Sequence, residues 1–247
     1  MLFKTFGKKE NPAMIILHGG GLSQWAVMPI VNILSKEYYI ITPIIDGHGE
    51  DGDTTFISIN DSAGKIIRYI DENHGGKVLA ICGLSIGAQI SLEVLASRSD
   101  ICSFSVIESA LIVPLKYPSV MTSMTGLAYP LIKKKWYSDL QAKTLLLPEE
   151  MHDTYYRDSC KITKKSLKNI IYSNSTFELS DNIKKTKSKT LIIVGGKELG
   201  IMKKSAERLG DLISSSEVIK IPRYGHGELS QLHPEDYCEY LLKLITS

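Results

Sequence analysis

The sequence predicts an α/β fold, a mostly parallel, doubly wound sheet with helices on both faces and a helical segment inserted before the penultimate strand. Three observations predict it. Short apolar runs recur along the chain: 13–17, 38–43, 77–82, 103–107, 190–194 and 217–222. Segments with apolar residues at helical spacing separate them. The alternation lapses only between Pro114 and Lys189, where helical patterns are broken by Pro118, Pro130 and Pro148 and no convincing strand intervenes. Buried parallel strands read as continuous apolar runs, and each crossover between them needs a helix, so this alternation means a parallel sheet covered on both faces.

Taken in order, Ala13 to Leu17 is a buried strand that breaks into His18-Gly19-Gly20-Gly21. A helix from about Ser23 follows, carrying Trp25, Val27, Ile30, Val31 and Leu34 at helical spacing. The strand Tyr38 to Pro43 runs into Asp46-Gly47-His48-Gly49-Glu50-Asp51-Gly52-Asp53, too rich in turn residues to be regular. Ile59, Ala63, Ile66, Ile67 and Ile70 mark a helix with Asn60-Asp61-Ser62 at its start and Gly75-Gly76 at its end, where glycine takes the left-handed cap. Lys77 to Cys82 and Ser103 to Ile107 are strands flanking a helix over 88–96. After the insertion come the strand Thr190 to Val194, a helix near 202–213, the strand Glu217 to Pro222, and a last helix from Pro234. The sheet has about six strands, seven with Leu2 to Phe6. The resulting domains are an α/β core over 1–113 and 190–247 and a helical insertion over 114–189, with Lys184 to Lys189 as its solvated return.

Composition narrows the function classes. The 247 residues are long enough for one domain with a large core, 43% hydrophobic and 23% charged as in ordinary globular proteins, and a formal net charge of +2 gives no reason to invoke nucleic acid or a membrane surface. No apolar run approaches the roughly 18 residues of a membrane span, and 1–9 lack the hydrophobic core of a signal peptide, so the expectation is a cytoplasmic protein. The four cysteines, Cys82, Cys102, Cys160 and Cys238, form no CxxC or Cys/His cluster, which argues against zinc and against a disulfide framework. Cys82 and Cys102 read as small buried hydrophobes.

The chemistry gathers around Gly83-Leu84-Ser85-Ile86-Gly87, a sharp turn between strand and helix. A serine at such an apex is a nucleophile elbow, and the glycines remove side chains that would clash with strand and helix. Ligands of doubly wound sheets sit beyond the C-terminal ends of the strands, where the His18 to Gly21 loop, Ser85, the loop around Glu198 and the loop around His226 all fall. With the order nucleophile, acid, histidine, the chain resembles the α/β-hydrolase superfamily, in particular its lidded, esterase-like and lipase-like members. His18 to Gly21 is similar to the family's oxyanion loop, Asp46-Gly47-His48-Gly49 to its Gly-His-Gly turn, Gly195-Gly196-Lys197-Glu198 to its acid turn, and Gly225-His226-Gly227 to its histidine loop.

The resemblance implies Ser85 as nucleophile, His226 as the base that serine needs at neutral pH, and Glu198 as the acid that orients the imidazole. The family usually has aspartate where this chain has Glu198, and the extra methylene would push the histidine loop outward by about an ångström or require a backbone shift. Glu108, at the end of the preceding strand, is the alternative acid. Backbone N–H groups of Gly20 and Ile86 are the expected oxyanion donors. His18 and His48 are expected to shape their loops, and His74, His152 and His233 to lie on the surface or in the insertion. A second departure, Pro43-Ile44-Ile45-Asp46, concerns only how that turn is braced.

The insertion occupies the place of the family's lid. It carries 14 Lys and Arg against 7 Asp and Glu, leaving 15 against 20 for the rest of the chain. A basic layer over an acidic one reads either as complementary packing or as a preference for an anionic substrate. Tyr117, Met121, Tyr129 and Trp136, with Met124 and Tyr137, are candidates for an apolar acyl pocket or for packing of the lid. The implied function is hydrolysis of a small or medium carboxylic ester or thioester through an acyl-serine intermediate, without cofactor or metal. The rival readings are a lyase or carbon–carbon bond hydrolase on the same fold, and a receptor-like binding protein with weak residual hydrolysis.

Overall fold

The computed structural model describes residues 1–246. Each apolar run is a strand: β1 (Leu2–Phe6), β2 (Ala13–Leu17), β3 (Tyr39–Ile44), β4 (Val78–Leu84), β5 (Cys102–Glu108), β6 (Lys189–Gly195) and β7 (Ser216–Ile221). They form one sheet in the order β1-β3-β2-β4-β5-β6-β7. Only β1 is antiparallel, pairing with β3 from Leu2 opposite Ile44 to Phe6 opposite Ile40; the other pairings are parallel.

Successive side chains of a strand face opposite ways, and the sheet uses this to build two cores. Ile15, Leu17, Ile81, Ile192 and Val194 meet α2 (Ile59–His74), α3 (Ile86–Ser97) and α8 (Gly200–Leu212). Their neighbours Met14, Ile16, Cys82, Leu191 and Ile193 meet α1 (Met28–Leu34) and α10 (Pro234–Thr246) on the other face. Cys82 and Cys102 are buried, and burial pushes their thiols up to about 12 and about 11.

Three local details differ from expectation. The helix expected from Ser23 to Leu34 is a 3₁₀ turn over Gln24–Val27 followed by α1, which restarts around Pro29 because proline has no N–H to give and fits only a first turn. The cap of α2 is Ser58, whose side chain accepts from the Asp61 N–H at 3.1 Å, rather than a residue of 60–62. A short helix, α9 (Glu228–Leu232), follows the His226 loop. Gly75 does take the left-handed cap, at φ 59°.

Between β5 and β6 lie α4 (Pro118–Ile132), α5 (Lys135–Thr144), α6 (His152–Ser159) and α7 (Lys164–Thr176). The last is sewn to the core. Ser166 Oγ accepts from the Phe56 N–H at 3.1 Å, Asn169 donates to the Phe56 carbonyl at 2.8 Å, and Asn174 and Gln89 exchange hydrogen bonds. A second fastening joins α6 to the core, where Trp25 Nε1 donates to Asp158 Oδ2 at 2.9 Å. Among the described residues no helix is long and apolar enough to cross a membrane.

Candidate active site

Ser85 stands between β4 and α3 with φ 55° and ψ −117°, a strained conformation for a residue with a side chain. The surroundings hold it there. Its N–H donates to the Glu108 carbonyl at 2.9 Å, extending the β4–β5 ladder by one residue, and its carbonyl accepts from Gln89 at 3.0 Å as the first turn of α3. A Cβ on Gly83 would run into the backbone of Gly87 and Ala88, and one on Gly87 into the carbonyls of Leu17 and His18, so the elbow can be this tight only with glycine at both places. The N–H groups of Ile86, at the start of α3, and of Gly20 make no hydrogen bond to any described residue. They are open donors, that of Ile86 at the positive end of a helix.

Beyond β6 and β7, Glu198 and His226 are joined: the imidazole Nδ1 donates to Glu198 Oε2 at 2.7 Å. The carboxylate side chain is 1% exposed and the imidazole 44%. Oε1 of Glu198 accepts from the Gly195 N–H at 2.7 Å and from Ser109 Oγ at 2.8 Å. With Nδ1 carrying the proton, Nε2 of a neutral His226 keeps its lone pair. The Ser85 hydroxyl is not hydrogen-bonded to the ring.

Ser109 is a site residue that the sequence reading passed over. It follows β5 with φ 54°, donates to Glu198 and accepts from the Gly227 N–H at 3.3 Å, tying the acid to the histidine loop. A serine just past a strand end has no distinguishing pattern in one sequence. Glu108, the alternative acid, makes no hydrogen bond or ion pair with His226. Its Oε1 accepts from the Ser230 N–H at 3.3 Å, its Oε2 is buried without a partner, and burial pushes the carboxyl up to about 7 from an ordinary 4.5. The reason lies in direction, since the Glu108 side chain points towards α9.

Two buried histidines brace the glycine loop. His18 Nδ1 donates to the Gly19 carbonyl at 2.8 Å and Nε2 accepts from the Ile45 N–H at 3.1 Å; these partners require the neutral ring, and burial holds its pKa down to about 3. His48 donates from Nδ1 to the Asp46 carbonyl at 3.0 Å and meets the His18 ring edge-on at 5.3 Å between centroids. Lys65 pairs with the Asp46 carboxylate, bracing the turn that departs from the family pattern. His152, in the insertion, is buried and contacts the Leu147 carbonyl at 3.2 Å, while His233 stacks on Tyr224.

A cavity of about 370 Å³ opens from Gly20 and Ile86 under the inserted helices. Its apolar wall is made by Ile132, Leu145, Tyr155, Ile162, Leu167 and Ile170, and its polar points by Gln141, Asn174 and the Asp158 carboxylate. No lysine or arginine lines it. Tyr117, Met121, Tyr129 and Trp136, the residues considered for an acyl pocket, do not line it either. Tyr117, Met121 and Trp136 face solvent, because α4 and α5 turn other sides towards the core, and Tyr129 donates its hydroxyl to the Ile162 carbonyl at 2.9 Å as a packing residue. Two of the insertion's lysines are structural. Lys133 reaches the carbonyls of Ser159, Cys160 and Ile162 at the end of α6, and Lys135 pairs with Asp139 and Asp153.

A strand-turn-helix serine, open N–H donors and a paired carboxylate and imidazole, all at one end of a doubly wound sheet, define a hydrolase-type site. The model of the alpha/beta hydrolase family matches residues 14–240, and the chain belongs to that family. An AB hydrolase superfamily protein of Gibberella zeae is 29% identical over 110 residues, covering 42% of this chain and 38% of that protein's length. Among solved structures, a carboxylesterase from the thaumarchaeon Nitrososphaera gargenis has a TM-score of 0.79 at 15% identity, covering 99% of this chain and 94% of its own. The enol-lactonase from Burkholderia xenovorans LB400 has a TM-score of 0.80 at 14% identity, covering 100% and 96%. At these identities the likeness is one of fold.

Proposed function

We propose that the protein is a serine hydrolase that cleaves a small or medium carboxylic ester or thioester through an acyl-serine intermediate, with residues 114–189 serving as the lid. The observation that carries this reading is the Glu198–His226 hydrogen bond at 2.7 Å, made by a buried carboxylate to an imidazole whose other nitrogen is free. Esterases are also among the structural relatives of the fold.

Ser85 Oγ attacks the carbonyl carbon while its proton passes to Nε2 of His226. The charge that develops on the ring is stabilised by Glu198, and the charge on the former carbonyl oxygen by the N–H groups of Gly20 and Ile86. Collapse of the tetrahedral species expels the alcohol or thiol, which takes the proton from His226. Water then repeats the sequence on the acyl-serine, with His226 again as base. The serine–imidazole hydrogen bond forms with substrate in place, as such contacts commonly tighten only in the complex.

The acyl group lies in the cavity between Ile86 and the lid, whose volume is at the small end of ligand sites. Its walls favour an uncharged chain: no lysine or arginine stands on them to meet a carboxylate, and the one acidic side chain there, Asp158, is already engaged by Trp25, Arg157 and Lys161. The basic character of the insertion therefore belongs to its outer surface and to Lys133 and Lys135, not to substrate recognition.

The test is turnover of p-nitrophenyl acetate and butyrate by the wild type and by Ser85→Ala, with fluorophosphonate labelling followed by mass spectrometry. The expected result is loss of about 10⁴-fold or more in kcat for the variant and label on Ser85 alone. Turnover retained by Ser85→Ala would refute the mechanism.

A further inference from the structure

The feature that hydrolysis leaves unexplained is the outside of α4. Its 15 residues include no charged side chain. A helix without a charge on any side, its polar residues only Ser119, Thr122, Ser123 and Thr125 besides Tyr129, belongs in a core or against a partner, yet this one lies on the exterior of the insertion, packed on α7 and α5. Val120, Met124, Leu127 and Leu131, spaced by four, three and four, form a single stripe in solvent, with Met124 64% and Leu127 81% exposed. Tyr117, 75% exposed, stands at its start, and Trp136, 62% exposed, just past its end. Scattered apolar residues on a surface need no explanation, but a continuous stripe of this length marks a contact.

Charge identifies the partner. Lys116 and Lys134 are exposed at the two ends of the stripe, and Lys164 and Lys168 run beside its middle at Gly126, with Lys168 Cδ 3.2 Å and Lys164 Cε 3.6 Å from where a Cβ on Gly126 would be. None of the four has an ion-pair partner among the described residues, whereas Lys135 nearby is held by Asp139 and Asp153. A second copy docked face to face would set these lysines against their own counterparts, the like-charge juxtaposition that interfaces avoid. An apolar stripe bordered by free lysines and flanked by a tyrosine and a tryptophan matches instead the boundary between phosphate headgroups and acyl chains.

We propose that α4 docks the protein on the surface of an anionic phospholipid bilayer. The stripe enters the acyl boundary, the lysines meet headgroup phosphates, and Tyr117 and Trp136 sit at the level between them. Ile132, the last residue of α4, turns inward and forms part of the cavity wall, so the docked face adjoins the cavity. Docking needs neither Ser85 nor turnover.

Flotation with vesicles of phosphatidylcholine alone, and of phosphatidylcholine with phosphatidylglycerol, at low and high salt, tests the proposal. The expected result is flotation with the anionic vesicles only, reversed by salt. The double variant M124D/L127D should bind at least about tenfold more weakly, and K164E/K168E by about tenfold, both with the wild-type melting temperature because the sites are exposed. No flotation with anionic vesicles would overturn it, as would equal binding to both kinds of vesicle or wild-type binding by M124D/L127D. A wild-type dimer that M124D/L127D dissociates, with no lipid binding, would assign the stripe to a second copy instead.

Discussion

At Glu198 the side chain turns back on its own strand. Oε1 takes the Gly195 N–H and the Ser109 hydroxyl, and Oε2 faces His226. The glutamate thus reaches both its own strand end and the imidazole. On the proposed mechanism, Glu198→Gln should lower kcat for p-nitrophenyl butyrate by about 10³- to 10⁴-fold, since the amide neither stabilises the imidazolium nor fixes the reactive tautomer. Ser109→Ala should be milder, about tenfold, because it removes one of three groups on the carboxylate and leaves the Gly227 N–H unpaired. Steady-state kinetics on the two variants checks that order. Glu108 gives a prediction of opposite kind. Its pKa is raised in the folded protein, so the protonated form favours folding; this contribution is complete below about pH 4.5 and is lost as pH rises through about 7. Glu108→Gln should therefore be more stable than wild type at pH 8, by up to about 3 kcal/mol, with the difference closing towards pH 4.5. Denaturant melts across that range measure it. Ser85, Glu198 and His226 were readable because strands ending in glycine-flanked polar residues stand out. Ser109 and the inward neighbours of Glu108 were not, since their parts depend on which strand end lies beside which.

Among the elements, α7 and α4 are opposites. Phe56 is gripped through both its N–H and its carbonyl by Ser166 and Asn169, and the Gln89–Asn174 exchange closes the far end, so α7 moves with the core. Asn169→Ala should remove about 1 kcal/mol of this hold and speed amide hydrogen exchange in α7 and in 54–58, leaving β4 and β5 unaffected. Uniform acceleration across the sheet would count against such a local fastening. The faces of the inserted helices were the least legible part of the sequence. A helix shows its inner side by contrast with a charged outer side, and α4 offers no contrast. Tyr117, Met121 and Trp136 looked like pocket residues because they are apolar, while the inserted residues that do line the cavity are Ile132 at the end of α4, Ile162 between α6 and α7, and residues of α5, α6 and one side of α7. The strands β2 to β6, by comparison, each carried their own evidence as runs buried on both faces.

For the molecule as a whole, strand alternation gave the parallel sheet and the place of the insertion, but not the order of strands, which handedness and adjacency constrain without fixing. That order has a consequence in time. From β4 onward the sheet grows in one direction, β5, β6 and β7 joining in turn at the same edge. The elbow serine is made early, at the end of the central strand β4, and Glu198 and His226 arrive last, on loops that follow β6 and β7. On the proposed mechanism, a chain under synthesis thus carries Ser85 through most of its emergence from the ribosome without His226 beside it. On the same mechanism a half-made molecule is inert, and competence switches on only when the final edge is in place.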